Sequence, residues 1–449
     1  MNKKSPREQR GQARVKLPER HQVEMPWMSL DQAIRGDHLV RTVVQYAETL
    51  DFSELYAEMK ATTDNVGRDA IDPRMLFSIW LFATLEGENS ARRIADLATR
   101  DLAYLWICGG VSVNYHTLSD FRTQHRELLE SVLTDSIAVL HYHDLIKLET
   151  IAQDGMRVRA SAGLGSFRTE ESLERARQTA QQYYEQVSRE QEEDDPNDKP
   201  TGRQQTARKR AAQEKLERIE AAGLEMQQMQ ERYHKRNEKF NEKHHRSAPR
   251  ASTTDPEARR MKMGDNGFRP AFNVQFASDA EALVIVGVDV TNEGSDAGLL
   301  APMYDDVCER YGTVPEKYLA DGGFSKKDGV THLERNGTEF FGVLFNEKKQ
   351  LEEGKDPYEK RPKENKHYTA FRERMGTEQA KEVYRRRAPA AEFPNANCRK
   401  QGLQQFSVRG LAKTKSQSLW HALAYNFRRF INLRDADRNQ SYLEVLMTS

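Results

Sequence analysis

The sequence lacks a net charge, a cysteine pattern and any long apolar run. Its 449 residues include 69 lysines and arginines and 69 aspartates and glutamates, so bulk charge does not indicate a nucleic-acid partner. The three cysteines, Cys108, Cys308 and Cys398, are far apart, so neither a disulfide framework nor a zinc knuckle is indicated. No run reaches the roughly 18 to 20 apolar residues of a membrane span, and no apolar segment follows the basic N-terminus. We therefore expect a cytoplasmic protein without a membrane partner.

Several catalytic signatures are also missing. The chain has no G-x-x-x-x-G-K-[ST] phosphate loop, no H-E-x-x-H helix, no G-x-S-x-G elbow and no G-x-G-x-x-G behind a strand. Two close histidine pairs, His141 with His143 and His244 with His245, have no cysteine or carboxylate at ligand spacing. We interpret them as surface or interface histidines.

The charge that is present is unevenly distributed. Charged residues make up 31% of the chain and hydrophobic residues 37%, with a mean hydropathy of -0.84, which predicts that some segments are solvated helix or linker. Basic residues gather in an N-terminal arm, residues 1–37, and between Arg385 and Arg429. Both clusters could neutralise phosphates, although a solvated arm and a solubilising helix face explain the same charges equally well.

Hydrophobic periodicity predicts an all-α domain over residues 38–147. Asp72-Pro73 is typical of a helix start, Gly109-Gly110 of a helix end, and Thr117 or Ser119 is expected to cap the next helix. Two short helices that meet at such a turn can form a helix-turn-helix-like unit that binds DNA. An ordinary helical bundle explains the same pattern.

Residues 168–248 are rich in Glu, Gln, Arg and Lys, which predicts a polar insertion of two long helices around a disordered turn. A coiled-coil dimer is the alternative, but the apolar stripe covers few heptads. The flanking segments, residues 148–167 and 249–434, alternate predicted strands and helices, which indicates an α/β layer arrangement. Residues 347–368 are predicted to form a charged loop, and residues 435–449 a C-terminal tail.

Two aspartates follow predicted strands of this α/β region. The first strand is expected to end at Asp154-Gly155, with residues 158–161 continuing in extended form, and a later strand to end at Asp321, which a glycine also follows. Ligands of open α/β sheets usually bind at the carboxyl ends of strands, so these carboxylates could converge on a hard divalent cation such as magnesium. Asp-Gly is also a routine turn dipeptide, and either aspartate alone is a weak signal.

A third acid lies in the basic C-terminal stretch. Glu392 belongs to a predicted helix, with Tyr384 and Arg387 before it and Arg399 and Lys400 about two turns after it, on the same face. Few acids nearby can pair with these cations. The arrangement therefore favours contact with a phosphate over a helix of internal ion pairs.

Taken together, the motifs resemble the DDE transposases of bacterial insertion sequences, most closely the insertion sequence 1182 family. The similarity extends over nearly the whole chain and includes DPRMLFSIWLFATLEG, QDGMRVRAS, VIVGVDVTNEGSDAG and LADGGFS. The wider superfamily has the pattern Tyr-x2-Arg-x3-Glu-x6-Lys, which matches Tyr384, Arg387 and Glu392 with four residues instead of three before the glutamate. Position 399 is arginine and lysine follows at 400, so either Arg399 or Lys400 is the phosphate contact.

The resemblance implies a ribonuclease-H-like domain, a mixed sheet with helices on both faces that the polar insertion interrupts. It implies that Asp154, Asp321 and Glu392 bind Mg²⁺ or Mn²⁺, and that the four residues around Glu392 contact DNA. Water would cut a phosphodiester at the element end, and the released 3′-hydroxyl would attack target DNA. The helical domain would bind the terminal inverted repeats of double-stranded DNA, and at least a dimer would hold two ends.

Two alternatives use the same sequence features. One is a catalytically inactive, transposase-derived protein that still binds DNA. The other is a metal-dependent nuclease that cuts DNA without joining it, because cutting and joining use the same residues.

Overall fold

The computed structural model describes most of the chain, namely residues 28–59, 69–192, 199–238, 248–435 and 439–448. Three features of the sequence analysis lie wholly or largely outside these ranges. They are the basic N-terminal arm, the turn inside the polar insertion and the pair His244 and His245.

The first part of the described chain is helical, as predicted. Its helices are α1 (Leu30–Ala33), α2 (Leu39–Thr49), α3 (Ser53–Ala57), α4 (Pro73–Leu85), α5 (Ala91–Leu97), α6 (Leu102–Cys108), α7 (Tyr115–Gln124) and α8 (Arg126–Tyr142).

Helix ends in this region follow local side-chain chemistry. The Asp72 side chain accepts a hydrogen bond from the Arg74 amide at the start of α4, and Gly109 ends α6 with a φ of 54°, both as predicted. The predicted cap of α7 was wrong. Asn114 caps this helix by accepting from the Thr117 amide, since asparagine is as good an N-cap as serine or threonine.

Strands from distant parts of the chain form one six-stranded mixed sheet. Five of its strands follow the order β4-β5-β1-β7-β8, and the sixth, β6, pairs with β5 on the same edge as β4. Pairing is antiparallel among β1, β4, β5 and β6 and parallel among β1, β7 and β8. A separate pair is formed by β2 and β3. The strands are β1 (Thr150–Arg159), β2 (Phe167–Arg168), β3 (Ala251–Ser252), β4 (Arg259–Lys262), β5 (Phe268–Asp279), β6 (Ile285–Thr291), β7 (Lys317–Ala320) and β8 (Glu339–Phe341).

Further helices cover both faces of the sheet, so the predicted mixed α/β arrangement is confirmed. They are α9 (Glu170–Glu192), α10 (Lys199–Asn237), α11 (Leu300–Tyr311), α12 (Lys327–Arg335), α13 (Glu347–Glu352), α14 (Lys366–Met375), α15 (Glu378–Arg385), α16 (Arg387–Lys400), α17 (Leu411–Asn432) and α18 (Tyr442–Thr448). Two neighbouring residues of β1 point to opposite faces of the sheet and contact different helices. Gln153 bonds to the Leu299 carbonyl just before α11, whereas Asp154 bonds to Asn395 of α16.

Two segments predicted without secondary structure contain helices. The charged loop after β8 includes α13 and the start of α14, and the predicted C-terminal tail includes α18, which packs on α17, α8 and α2. Helix α18 is short and buries Leu443 and Val445, so packing against its neighbours stabilises it. No residue of α13 is buried, and Tyr358 donates a hydrogen bond to its Glu347. These contacts depend on the tertiary structure.

The polar insertion forms the two predicted long helices, which pair antiparallel. Gln230 of α10 donates to Glu170 at one end of α9, and Arg208 pairs with Glu190 at the other end. A small core lies between them and includes Leu173, Ala180, Leu216, Ile219 and Met226. Because the apolar stripe is buried inside this hairpin, it is not available for a coiled-coil dimer.

The long helix α17 joins the N-terminal helices to the sheet. Trp420 lies 5.2 Å from the Phe77 ring and 6.3 Å from the Trp80 ring, measured between ring centroids. On the sheet side, the buried Asn426 accepts from the Ile285 amide at 2.8 Å and donates to the Ile285 carbonyl at 2.7 Å. One continuous hydrophobic core therefore contains residues of both regions.

The double hydrogen bond of Asn426 predicts a large effect on stability. Asn426→Leu leaves a buried N–H and a buried C=O of Ile285 without partners, each costing roughly 1 to 3 kcal/mol. We expect the free energy of unfolding to fall by about 2 to 6 kcal/mol, measured as a shift of the urea midpoint. Asn397→Ala, at a partly exposed position of α16, is the control and should change it by about 0.5 kcal/mol or less. Equal shifts for both variants would contradict this assignment.

Candidate active site

Asp154 and Asp321 lie side by side where the pairing of β1 with β7 ends. The last parallel pair is Gln153 opposite Ala320, and each aspartate is the next residue of its chain segment. Neighbouring strands of a sheet are roughly 4.8 Å apart. The strand β7 ends at Ala320, one residue before the predicted end. The predicted end of β1 at Asp154-Gly155 was wrong, because β5 continues to pair with β1 as far as Arg159, into the segment that was predicted to be extended.

The Asp154 carboxylate is half-buried and held in a defined orientation. Its Oδ1 accepts from the Gly155 amide at 2.9 Å, and its Oδ2 accepts from Nδ2 of the buried Asn395 at 3.0 Å. Asn395 follows Pro394, which cannot donate a backbone hydrogen bond inside α16. The helix α16 therefore reaches the first aspartate through an amide that sequence reasoning did not single out.

Negative charge predominates around Asp154. Burial raises its pKa above the ordinary value, and the carboxylates of Asp321 and Asp296 raise it further, while the Gly155 amide and the Arg387 guanidinium lower it. A carboxylate with other carboxylates nearby is stabilised in its ionised form by a bound cation. The electrostatics of this point in the sheet therefore favour a cation.

Asp296 is an acid of this site that sequence reasoning missed. It precedes α11, its side chain is 12% exposed, and it accepts from Asn273 at 2.7 Å, from Gln275 at 2.9 Å and from Arg157 at 2.9 Å. A Cβ at position 155 would lie 2.6 Å from Oδ1 of Asp296, so a larger residue there would have to displace these side chains. The signals in the sequence are two amides at alternate positions of β5 and the motif VIVGVDVTNEGSDAG, which contains Asp296.

Glu392 lies apart from the two aspartates. It is one helical turn before Asn395 on α16, but its side chain is 65% exposed and its Oε1 lies 3.5 Å from Nη2 of Arg387. The Arg387 guanidinium lies over the Tyr384 ring at 5.8 Å. Burial raises the pKa of Tyr384, Arg387 lowers it, and Asp321 raises it. Tyr384 and Arg387 are therefore neighbours of the acidic pair, whereas the Glu392 carboxylate is not.

Asp154 and Asp321 fit part of a divalent-metal site. Carboxylate oxygens are the ligands that Mg²⁺ prefers, and the two strands place a pair of them together. Across the described ranges, no three histidine, cysteine or acidic side chains are close enough to hold an ion. A third ligand from Glu392 requires its side chain to leave Arg387 and turn towards Asn395.

The two basic candidates at the end of α16 have different surroundings. Arg399 and Lys400 are both exposed. Arg399 lies seven residues after Glu392, roughly 10 Å along the helix, and it lines an open groove together with Gly155, whereas Lys400 is not part of the groove lining. This geometry favours Arg399 as the residue that contacts a phosphate near Asp154.

The raised pKa of Asp154 predicts that Asp154→Asn stabilises the protein at neutral pH without divalent ions. The folded state holds the Asp154 proton more tightly than the unfolded chain does. The free energy of unfolding of the wild type therefore falls as the pH rises through this titration. The loss is complete above the folded-state pKa. Asparagine does not ionise, and it keeps both contacts when the Asn395 amide turns over so that its Oδ1 accepts from the new Nδ2. We expect a higher Tm for the variant at pH 7 in EDTA, and a smaller difference as the pH approaches about 4.

The exposed Glu316, at the opposite end of β7, provides the control for this prediction. Glu316→Gln should not reproduce the pH-dependent gain. A Tm of Asp154→Asn at or below that of the wild type at pH 7 would show that Asp154 is not under electrostatic strain.

Comparison with known proteins identifies two regions of the chain. Residues 28–124, which contain α1 to α7, match the family model described as Transposase domain (DUF772), and residues 349–431, which contain α14 to α16 and most of α17, match Transposase DDE domain. No curated protein and no solved structure was found to match. Within the described ranges no helix is long and apolar enough to cross a membrane. The DDE match indicates a metal-dependent DNA-cutting enzyme, and together the two matches support an insertion-sequence transposase.

Proposed function

We propose that this protein is a DDE transposase that cuts DNA at the ends of an insertion sequence and joins the 3′-hydroxyl ends to target DNA. Asp154, Asp321 and Glu392 are its proposed metal-binding acids. The observation that carries the proposal is the shared register of Asp154 and Asp321 on parallel strands, with the basic helix α16 bonded to Asp154. The two transposase-domain matches support the same conclusion.

The proposed catalytic domain is ribonuclease-H-like. Its support is a mixed sheet in which β5 and β6 follow β1 in antiparallel pairing on one side, while β7 and β8 run parallel to β1 on the other. Helices on both faces, and the contact of β1 with α16, the helix that carries Glu392, agree with this proposal. The helical region before β1 is proposed to bind the terminal inverted repeats, and at least a dimer to hold two ends.

The side chains of the site have distinct proposed roles. A bound Mg²⁺ or Mn²⁺ supplies activation of the attacking oxygen and stabilisation of the leaving oxygen in an in-line displacement. Asn395 keeps the Asp154 carboxylate in one orientation, so that little reorganisation is needed before the reaction. Arg387, held over Tyr384, places positive charge beside the acids, where a scissile phosphate needs it.

Incubation of the purified protein with Mg²⁺ and element-end duplexes separates this proposal from the two alternatives. Cleavage followed by strand transfer supports a transposase. Binding without cleavage supports an inactive DNA-binding derivative, and cleavage without joining supports a nuclease.

Each proposed acid should be essential for cutting. We expect Asp154→Asn, Asp321→Asn and Glu392→Gln to lower the cleavage rate at least about 100-fold, since even a residue that only orients a metal ligand is worth roughly 10- to 100-fold. Binding of end DNA in EDTA should be largely retained. Glu316→Gln is the control and should cut normally. Normal cutting by Glu392→Gln would remove Glu392 from the site and leave Asp296 as the nearby acid to examine.

Arg399 and Lys400 are distinguished by the salt dependence of DNA binding. Each phosphate contact contributes about 0.9 to the slope of log K against log salt for duplex DNA. We expect Arg399→Gln to reduce this slope by about 1 and its neighbour Lys400→Gln to reduce it less. The opposite order would assign the phosphate contact to Lys400.

A further inference from the structure

We propose that a groove beside β1 binds the phosphodiester backbone of DNA that extends away from the acidic pair. The proposal rests on the proposed function in one respect, which is that DNA is the substrate. Apart from Arg399, the cationic side chains that line the groove are not among those that the sequence analysis predicted to contact DNA.

The groove follows an open strand edge. Because β7 pairs with β1 only as far as Gln153, β1 has a partner on one side alone from Gly155 onwards. The far end of this edge is closed at Arg159, whose amide donates to the Gln404 carbonyl at 3.1 Å. Alternation along the strand places the N–H and C=O of Arg157 on the same open edge. The groove has a volume of about 1020 Å³.

Positive charge predominates in the groove lining. It includes five cationic side chains and a single acid, Asp265, and the cations are Arg157, Arg159, Lys262, Arg269 and Arg399. Asp296 pairs with Arg157, and Asp265 pairs with Arg269. Within the part of the chain that the structure covers, Arg159, Lys262 and Arg399 have no carboxylate within ion-pair distance. Three elements, β1, β4 and α16, therefore each contribute an unpaired cation to one groove.

This lining fits a polyanion better than a small molecule. Small-molecule pockets are mostly apolar and aromatic, whereas the only large apolar side chains that line this groove are Met156 and Met263. Gly264 and Gly294 leave the backbone accessible. Separate, exposed cations attract a chain of phosphates by releasing its condensed counterions. The backbone of DNA has this chemistry.

The position of the groove relates it to the proposed chemistry. Gly155, at its near end, is the residue directly after Asp154, and Arg399 lies on the helix that carries Glu392. A strand bound along the open edge of β1 would lead from the two aspartates towards Arg159. The groove therefore holds DNA beyond the phosphate that is cut, and it sets the direction in which the substrate leaves the site.

Charge removal in the groove tests this inference without touching the proposed catalytic residues. Arg159→Gln with Lys262→Gln removes two unpaired cations, and Lys147→Gln with Arg335→Gln is the matched control, at exposed positions before β1 and at the end of α12. Anisotropy titrations of an element-end duplex across a salt series should show a slope smaller by about 1.8 for the groove variant and no change for the control. An unchanged slope for the groove variant, or an equal change in the control, would overturn the proposal.

The same titrations separate this proposal from the proposed function. If the groove variant has a reduced slope but the wild-type protein does not cut DNA in Mg²⁺, the groove proposal is supported and the proposed enzymatic function fails. If the wild type cuts normally but the groove variant has an unchanged slope, the groove proposal fails and the proposed function stands. If millimolar inorganic phosphate abolishes the difference between variant and wild type at constant ionic strength, the groove is a site for free phosphate and the proposal fails.

A crosslink from Gly264 gives an independent readout. A Cβ at this exposed position meets no atom within 4 Å, so Gly264→Cys should fold, and its thiol can carry an azidophenacyl photocrosslinker. We expect adducts on the element-end duplex within a few nucleotides of the cut site, and their loss when Arg159 and Lys262 are also changed to Gln. The parent chain is the control, because Cys108 and Cys398 are buried and Cys308 is half-buried. Binding without any adduct would overturn the proposal.

Discussion

The pairing of β1 on its two edges determines where the candidate site residues lie. On one edge β5 pairs along nearly the whole strand, and on the other β7 stops after four residues. The end of β7 places Asp321 beside Asp154, and the absence of a partner beyond it opens the edge that forms the basic groove. A longer β7 would pair with β1 beyond Asp154 and fill the groove, so the register of β7 sets the acidic pair and its length sets the proposed path of DNA.

Two helices connect this sheet with the rest of the chain. Helix α17 packs on the N-terminal helices through Trp420 and on β6 through Asn426, so the region matched as a transposase domain shares its core with the sheet. Helix α16 contacts β1 and carries Asn395 and Glu392 on neighbouring turns. Because Glu392 pairs with Arg387, completion of a three-acid site requires a rearrangement of side chains on a helix whose backbone is already in place.

The neutral total charge of the chain hides strong local imbalance. Asp154, Asp321 and Asp296 lie together at one end of the groove, and unpaired cations lie along its length. Such a separation suits a substrate that carries many negative charges and reacts at a phosphate, because cations bind the polyanion while carboxylates hold the ions for the reaction. Asp296, which is bonded to Asn273, Gln275 and Arg157, also lies against β1 at Gly155.

The sequence by itself determined the helical first region, the alternating strands and helices, the polar hairpin and the two strand-associated aspartates, because periodicity and capping residues act over a few neighbours. It missed Asn114 as a cap, α13, the continuation of β1 and the contacts of Asp296, since these depend on partners far away in the chain. Only the tertiary structure decided that Asn395 holds Asp154, that Glu392 lies beside Arg387, and that Arg159, Lys262 and Arg399 share one groove. These residues belong to different elements, and packing alone brings them together.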